Sequence, residues 1–269
     1  MLTGPDGKTI VNVGILNPGG GGIFIDGFPY ESEKTEDANF ARFDININNS
    51  VFDGCQAPDG SAIYLFREGQ ATIDIVNSTF MNCNATGGSC GTIKTSGDGR
   101  YKLTVDKCIF TKNYSNTHGA GVYWNCSGDG AKLIIKGNSK FYENEAKTLG
   151  AGIFVEGSSM DIQSAEVYNN KAAYGAGIGV KTYASSMGSN WTADDSFNLA
   201  LSENVIVHDN FATSAGAGLC LYCEDGRPDN GYTFNLSLNG ATFENNTVKT
   251  EDNVITGYGG RHCSTGSNN

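Results

Sequence analysis

Phe141-Tyr-Glu-Asn144, followed after five residues by Gly150-Ala-Gly-Ile153-Phe-Val155, is the stretch whose reading decides the fold. Its two halves recur in alternation. The first half, an apolar residue with Asn or Cys three positions later, returns as Phe52 with Cys55, Phe80 with Cys83, Phe110 with Asn113, Val167 with Asn170, Val207 with Asn210 and Phe243 with Asn246. The second half, a small pair before an aliphatic residue, returns as Gly21-Gly22-Ile23, Ser61-Ala62-Ile63, Gly91-Thr92-Ile93, Ala120-Gly121-Val122, Ala176-Gly177-Ile178 and Ala217-Gly218-Leu219. From each of the first six Phe or Val anchors, the next aliphatic anchor lies 11 to 13 residues on. Self-similarity of this kind marks a repeat architecture.

The phase of the apolar residues identifies the elements. After each small pair the residues alternate, as in Ile63 and Leu65, Ile153 and Val155, or Ile178 and Val180. A period of two means a strand with those side chains on one face. A second strand carries Ile73 and Ile75, Leu103 and Val105, Leu133 and Ile135, or Leu199 and Leu201, while the coil around Ile162 is less regular. The Phe or Val anchor makes a third, shorter strand, and turn pairs such as Asp98-Gly99 and Asp129-Gly130 fall between. Such strands bury their inward faces only by winding into coils that stack on one another. The expectation is therefore an all-β, right-handed parallel β-helix of about seven coils of three short strands, roughly 35 Å long at the spacing of paired strands. A β-propeller needs four strands in ~40–45 residues, and these repeats are mostly 25 to 31 residues long.

The chain reads as one domain, residues 1–269, with a lead-in at 1–19, repeats over 20–256 and a tail at 257–269. Three insertions, 27–41, 182–197 and 223–233, fall between first and second strands and should emerge at one corner. The opening residues lack a charged segment followed by an apolar one, and no amphipathic helix caps the first coil. The expectation is a segment of a longer protein.

The Phe141-Tyr-Glu-Asn144 and Gly150-Ala-Gly-Ile153 elements and their relatives resemble the FxxN and GGA(I/L) repeats of chlamydial polymorphic membrane proteins. The resemblance spans residues ~20 to ~246. It implies a surface-exposed adhesin whose passenger region is a β-helix. The departures are a Gly-Ala-Gly order, Cys at two Asn positions, and no C-terminal barrel.

A net charge of −11 argues against nucleic acid and against docking on an anionic membrane. No apolar run approaches the ~20 residues of a membrane helix. Eight cysteines and the sequons at Asn48, Asn77, Asn84, Asn113, Asn125, Asn190, Asn235 and Asn245 fit a secreted or cell-surface protein.

Each motif has a structural reading beside the functional one. Asn113, Asn144, Asn170, Asn210 and Asn246 share one register, which predicts a ladder of stacked amides. Cys55 and Cys83 occupy that register in adjacent coils, within disulfide reach, while Cys83 could instead pair with Cys90. Cys108 and Cys126 could pair or stay as buried thiols. Cys220 and Cys223 have metal or redox spacing, and His262-Cys263 could complete four ligands, but two strand residues three apart face opposite sides. A disulfide to the tail is preferred, and no metal site is assigned. His118, His208 and His262 are scattered and read as surface residues. The acidic loops (Glu31 to Asp37, Glu224 to Asp229) allow at most weak Ca²⁺ binding, since no Ca²⁺-loop signature is present.

No catalytic residue is assigned. Asp26 and Glu156 share an outward register four coils apart, ~19 Å, too far for a glycosidase pair. Phe24, Tyr64, Tyr123 and Phe154 share the neighbouring outward register, and Tyr222 lies beside it. They are expected to form an exposed contact stripe. The function so read is an extracellular repetitive scaffold, an adhesin-like surface protein or a fibre subunit. Its partners would be a surface protein or glycan, or further copies of itself, with no cofactor. The alternative is a carbohydrate-active β-helix enzyme, a polysaccharide lyase or hydrolase.

Overall fold

In the computed structural model, residues 19–26, 42–66, 70–95, 100–126, 130–181, 196–222, 233–250 and 253–256 are described. They form a parallel β-helix with no helices. The first sheet stacks seven strands: Ile23–Asp26, Ile63–Phe66, Ile93–Thr95, Val122–Trp124, Ile153–Glu156, Ile178–Lys181 and Leu219–Tyr222. Equivalent anchors are direct partners across coils, as in Val122 with Ile153 and Ile153 with Ile178. The three insertions of the sequence reading follow first-sheet strands as expected, but Ser196, Phe197 and Thr233 at their ends already belong to the second-sheet strands Ser196–His208 and Thr233–Leu238. The interiors of the insertions fall outside the described residues.

The second sheet differs from the expectation in one respect. The anchor strands, such as Thr79–Met81 and Ile109–Thr111, belong to it as continuations of the longer strands Gln70–Val76 and Arg100–Asp106. A bend at Asn77 (φ 48°) or Lys107 (φ 55°) separates the two parts. The third sheet is built instead by very short strands just after the ladder position, among them Gln56–Ala57, Asn84–Ala85, Tyr114–Ser115 and Glu145–Ala146. A two-residue strand has no room to show a period of two, so alternation could not reveal it. The coil around Ile162 keeps register, because Met160 and Ile162 pair with Leu133 and Ile135 on one side and with Leu199 and Leu201 on the other. The irregularity is a bulge between Ile162 and Ser164.

The inward faces of the first two sheets make one continuous apolar core, including Leu65, Ile75, Val105, Trp124, Ile135, Ile153 and Val167. Phe52, Phe80, Phe110 and Phe141 stack face to face at 4.7, 4.6 and 4.7 Å. The third corner is narrower and packed by alanines: Ala120, Ala146, Ala151, Ala172, Ala176, Ala212 and Ala217.

The two sequence motifs turn out to be complementary surfaces. A Cβ on Gly177 would lie 2.7 Å from the Gly218 carbonyl oxygen, 3.0 Å from Asn210 Nδ2 and 3.1 Å from Val207 Cγ1. The small pair is small because the next coil's backbone and the ladder amide occupy the space a side chain would take. Gly177→Ala should therefore lose about 1–3 kcal/mol through overpacking. A shifted denaturant midpoint with unchanged slope would register this, and an unchanged midpoint would refute the packing argument.

Candidate functional site

The sequence reading places Tyr64, Tyr123 and Phe154 on an open outward stripe, and the structure corrects it. They are 2%, 3% and 0% exposed. Only the ends of the stripe are open, with Phe24 at 45% and Tyr222 at 36%. The cover comes from the turns that lead into the first sheet. Gly60, Gly119, Gly150, Gly175 and Gly216 all sit at φ between 55° and 61°. That left-handed conformation, cheap for glycine, carries the chain back across the outer face of the sheet. The Cβ position of Gly60 falls 2.6 Å from Tyr64 Cβ, and that of Gly119 falls 3.0 Å from Tyr123 Cβ. Gly179 completes the fit, since a side chain there would strike the backbone of Gly150.

Under this cover lies a polar network that the sequence reading did not find. Lys94 Nζ is 3.1 Å from Asp59 Oδ1, with side chains 5% and 3% exposed. The same ammonium lies 5.0 Å from the ring centre of Tyr64 and 5.5 Å from that of Tyr123. The Tyr123 hydroxyl donates to Glu156 Oε2, and Asn125 Nδ2 donates to the same oxygen at 3.1 Å. Lys181 Nζ reaches Glu156 Oε1 at 3.2 Å. Burial and the neighbouring Glu156 push the Tyr123 phenol well above its usual range, so it remains a donor. Burial also lowers Lys94 below an ordinary lysine, against the pull of Asp59 and Glu156.

His118 belongs to this layer rather than to the surface. Its ring stacks on Phe154 at 4.7 Å and meets the Thr148 hydroxyl through Nδ1. Burial takes its pKa down to about 4, so it is neutral at pH 7. Asp59 belongs to a turn and His118 to a loop, both outside the repeat registers, so register counting did not group them with Lys94 and Glu156.

The ladder residues make a continuous chain of hydrogen bonds. Nδ2 of Asn113, Asn144, Asn170 and Asn210 donates to Oδ1 of the next member, Asn246 being the last, at 2.9–3.0 Å. Each of the five Nδ2 atoms also donates to a backbone oxygen of the preceding coil, as Asn144 does to Phe110 at 3.0 Å. Cys83 continues the row by donating its backbone N–H to Asn113 Oδ1 at 3.0 Å. The residue before each ladder position adopts positive φ in every coil, from Gly54 through Asn82, Lys112, Glu143, Asn169 and Asp209 to Asn245.

Cys55, Cys83 and Cys90 are thiols, so neither the Cys55–Cys83 nor the Cys83–Cys90 pairing is formed, a second correction, while Cys108 is a buried thiol, one of the two alternatives the sequence left open. Cys83 and Cys108 donate to backbone oxygens of Met81 and Asp106 at 3.4 and 3.2 Å, acting as the serines do elsewhere. Ser78 and Ser139 share the register of Cys108 and bond to Val76 and Lys136. Burial pushes the Cys83 thiol up to about 12. Cys223, His262 and Cys263 lie outside the described residues, as do the acidic loops considered for Ca²⁺. Among the described residues no three His, Cys, Asp or Glu side chains gather as a metal site.

Burial sorts the sequons. Asn113 and Asn125 are buried and hydrogen-bonded, so a glycan on either is incompatible with the fold, which corrects two candidates. Asn84 is half-buried, Asn48, Asn77, Asn235 and Asn245 are exposed, and Asn190 lies outside the described residues.

An accessible aromatic row exists elsewhere, on the outer face of the second sheet. Tyr142 and Tyr168 stack at 4.9 Å, and Tyr168 and His208 at 5.0 Å, with interplanar angles of 8° and 4°. Their faces are used in stacking, so the row offers its polar edges. Lys140 bonds Glu166 at 2.8 Å, and Glu166 and Asp209 both contact His208, at 3.2 and 2.7 Å. Further lysine–carboxylate pairs (Lys132 with Asp161, Lys136 with Asp106) line the same sheet.

Burial alone would lower the His208 pKa, but bonds to Asp209 and Glu166 raise it above the ordinary value. The fold therefore favours the protonated ring. That stabilisation is complete below ~6.5, the unfolded value, and is lost as pH rises through the folded value. His208→Gln should flatten the stability profile in that window by under about 1 kcal/mol. Denaturation midpoints at several pH values for both proteins test it, and parallel profiles would rule it out.

No family model matches the chain, and no significant match exists among curated proteins or solved structures.

Proposed function

We propose that the chain is an extracellular repetitive scaffold, adhesin-like or a subunit of a surface fibre. It contacts its partner through the polar edge of the Tyr142–Tyr168–His208 row. The observation that carries this reading is the repetition of surface chemistry at coil spacing: stacked rings and lysine–carboxylate pairs recur along the second sheet. A regular row of hydroxyl, imidazole and charged edges suits a partner with its own polar repeat, such as a surface glycan or a protein strand. The FxxN-type repeats support the same reading, as do the exposed sequons, which fit a secreted chain.

The enzyme alternative requires a carboxylate that a sugar can reach. Glu156 and Asp59 are 3% and 2% exposed and engaged with Tyr123, Lys181 and Lys94, and the accessible Glu166 and Asp209 are engaged with Lys140 and His208. A binding screen against surface glycans and cell-surface proteins, with Tyr142→Ala/Tyr168→Ala alongside, separates the readings. Binding that falls at least tenfold in the variant, with melting shifted by no more than a few degrees, is the expected result. Release of shortened products from any polysaccharide would overturn the scaffold reading.

A further inference from the structure

Lys94 and Asp59 form an unusual pair. Amine nitrogen and carboxylate oxygen are 3.1 Å apart, both side chains are at least nine-tenths buried, and the rings of Tyr64 and Tyr123 flank the amine. Among the described residues Lys94 is the cation in contact with Asp59 Oδ1. The two residues belong to different turns of the solenoid. Asp59 precedes the strand Ile63–Phe66, and Lys94 lies in its neighbour, Ile93–Thr95, where it is the partner of Tyr64.

We propose that Lys94 and Asp59 condense spontaneously into an intramolecular isopeptide bond that welds these adjacent coils. The step balances without a co-reactant. One proton passes from the Lys94 ammonium to the Asp59 carboxylate, leaving an amine and a carboxylic acid. The nitrogen lone pair then forms a C–N bond to Asp59 Cγ. The acid's C–O bond to its hydroxyl breaks, and that hydroxyl departs with a nitrogen proton as water. Nothing is oxidised or reduced.

The surroundings favour each stage. Burial disfavours the charged form of a lysine, and Lys94 is already lowered by burial although Asp59 and Glu156 favour its charge. Fixed proximity supplies the effective concentration that amide formation lacks in water, and the apolar wall of rings resists the reverse hydrolysis. The inference does not depend on the scaffold reading or on any partner.

Intact mass of the full, folded chain, measured under denaturing conditions, tests it directly. The expected mass is lower than the sequence mass by one water, about 18 Da, with a branched peptide joining Asp59 to Lys94 after digestion. Asp59-Gly60 could also lose water by closing a succinimide, which gives the same mass without a cross-link. Lys94→Arg distinguishes the two: the isopeptide predicts the full mass in this variant, the succinimide a persistent loss. A wild-type chain at full mass, or a water loss that survives Lys94→Arg, overturns the proposal. The wild-type peptide map decides even if a variant misfolds.

Discussion

Asn170→Ala is expected to lower stability by about 3–5 kcal/mol, because this amide serves four bonds in a dry interior. Its Nδ2 donates to the Phe141 carbonyl at 2.9 Å and to Asn210 Oδ1 at 3.0 Å. Its Oδ1 accepts from the backbone N–H and the side-chain amide of Asn144, at 3.1 and 3.0 Å. Alanine leaves the buried Asn144 N–H without this partner, costing about 1–3 kcal/mol, and deletes the three remaining bonds. Asn77 bonds Asn49 in the same stacked fashion, but it sits at φ 48°, so alanine there would add backbone strain. Asn235→Ala is the cleaner control. Its amide bonds Asn198 across coils at 3.0 Å and both are exposed, so water replaces the lost partner and the change should stay near 0.5 kcal/mol.

Asn170→Asp sharpens the test. It keeps the shape but, ionised, offers no proton to Phe141 or Asn210, so it should be as damaging as alanine at neutral pH. Because burial raises its pKa, part of the loss should return on acidification, when the acid can donate one bond. Urea denaturation at two pH values reads both effects. Equal stability of Asn170→Ala and wild type would mean that the ladder is an ornament of the coil stack rather than one of its fastenings.

What was legible in the sequence follows from what repeats. Ile153, Val155 and their equivalents were readable because an inward side chain must be apolar in every coil. The Asn row was readable because an amide stacks best on an amide. The outer layer was not legible, for a physical reason. Alternation says which way a side chain leaves its strand, but not what returns to cover it. Tyr64, Tyr123 and Phe154 do leave the sheet outward, and are then roofed by turns whose reversal depends on a left-handed glycine, such as Gly150 (φ 60°). Gly150 was visible at the head of the Gly150-Ala-Gly-Ile153 element, but nothing in that element says which way its turn runs. The Lys94–Asp59 pair was hidden for a related reason: one partner lies on a strand and the other on a turn, so no single register contains both.

The outer roof makes Phe154→Ala the clearest discriminator between a contact surface and a second core. Phe154 is fully buried, its ring 4.9 Å from Tyr123 at 61° and 4.7 Å from His118. Truncation to alanine removes most of a large apolar side chain and opens a cavity beneath Gly150, for an expected loss of about 3–5 kcal/mol. A contact stripe would behave in the opposite way, losing affinity while keeping its melting temperature. His118 supplies a second readout that general destabilisation does not mimic. Its pKa is held at about 4 by burial, and water entering the Phe154 cavity should let it climb back towards ~6.5. Imidazole NMR titration of the folded variant would show that rise. A His118 that still titrates near its wild-type value, in a variant of unchanged stability, would mean that the turns do not seal the outer face and that the aromatic row is open to partners after all.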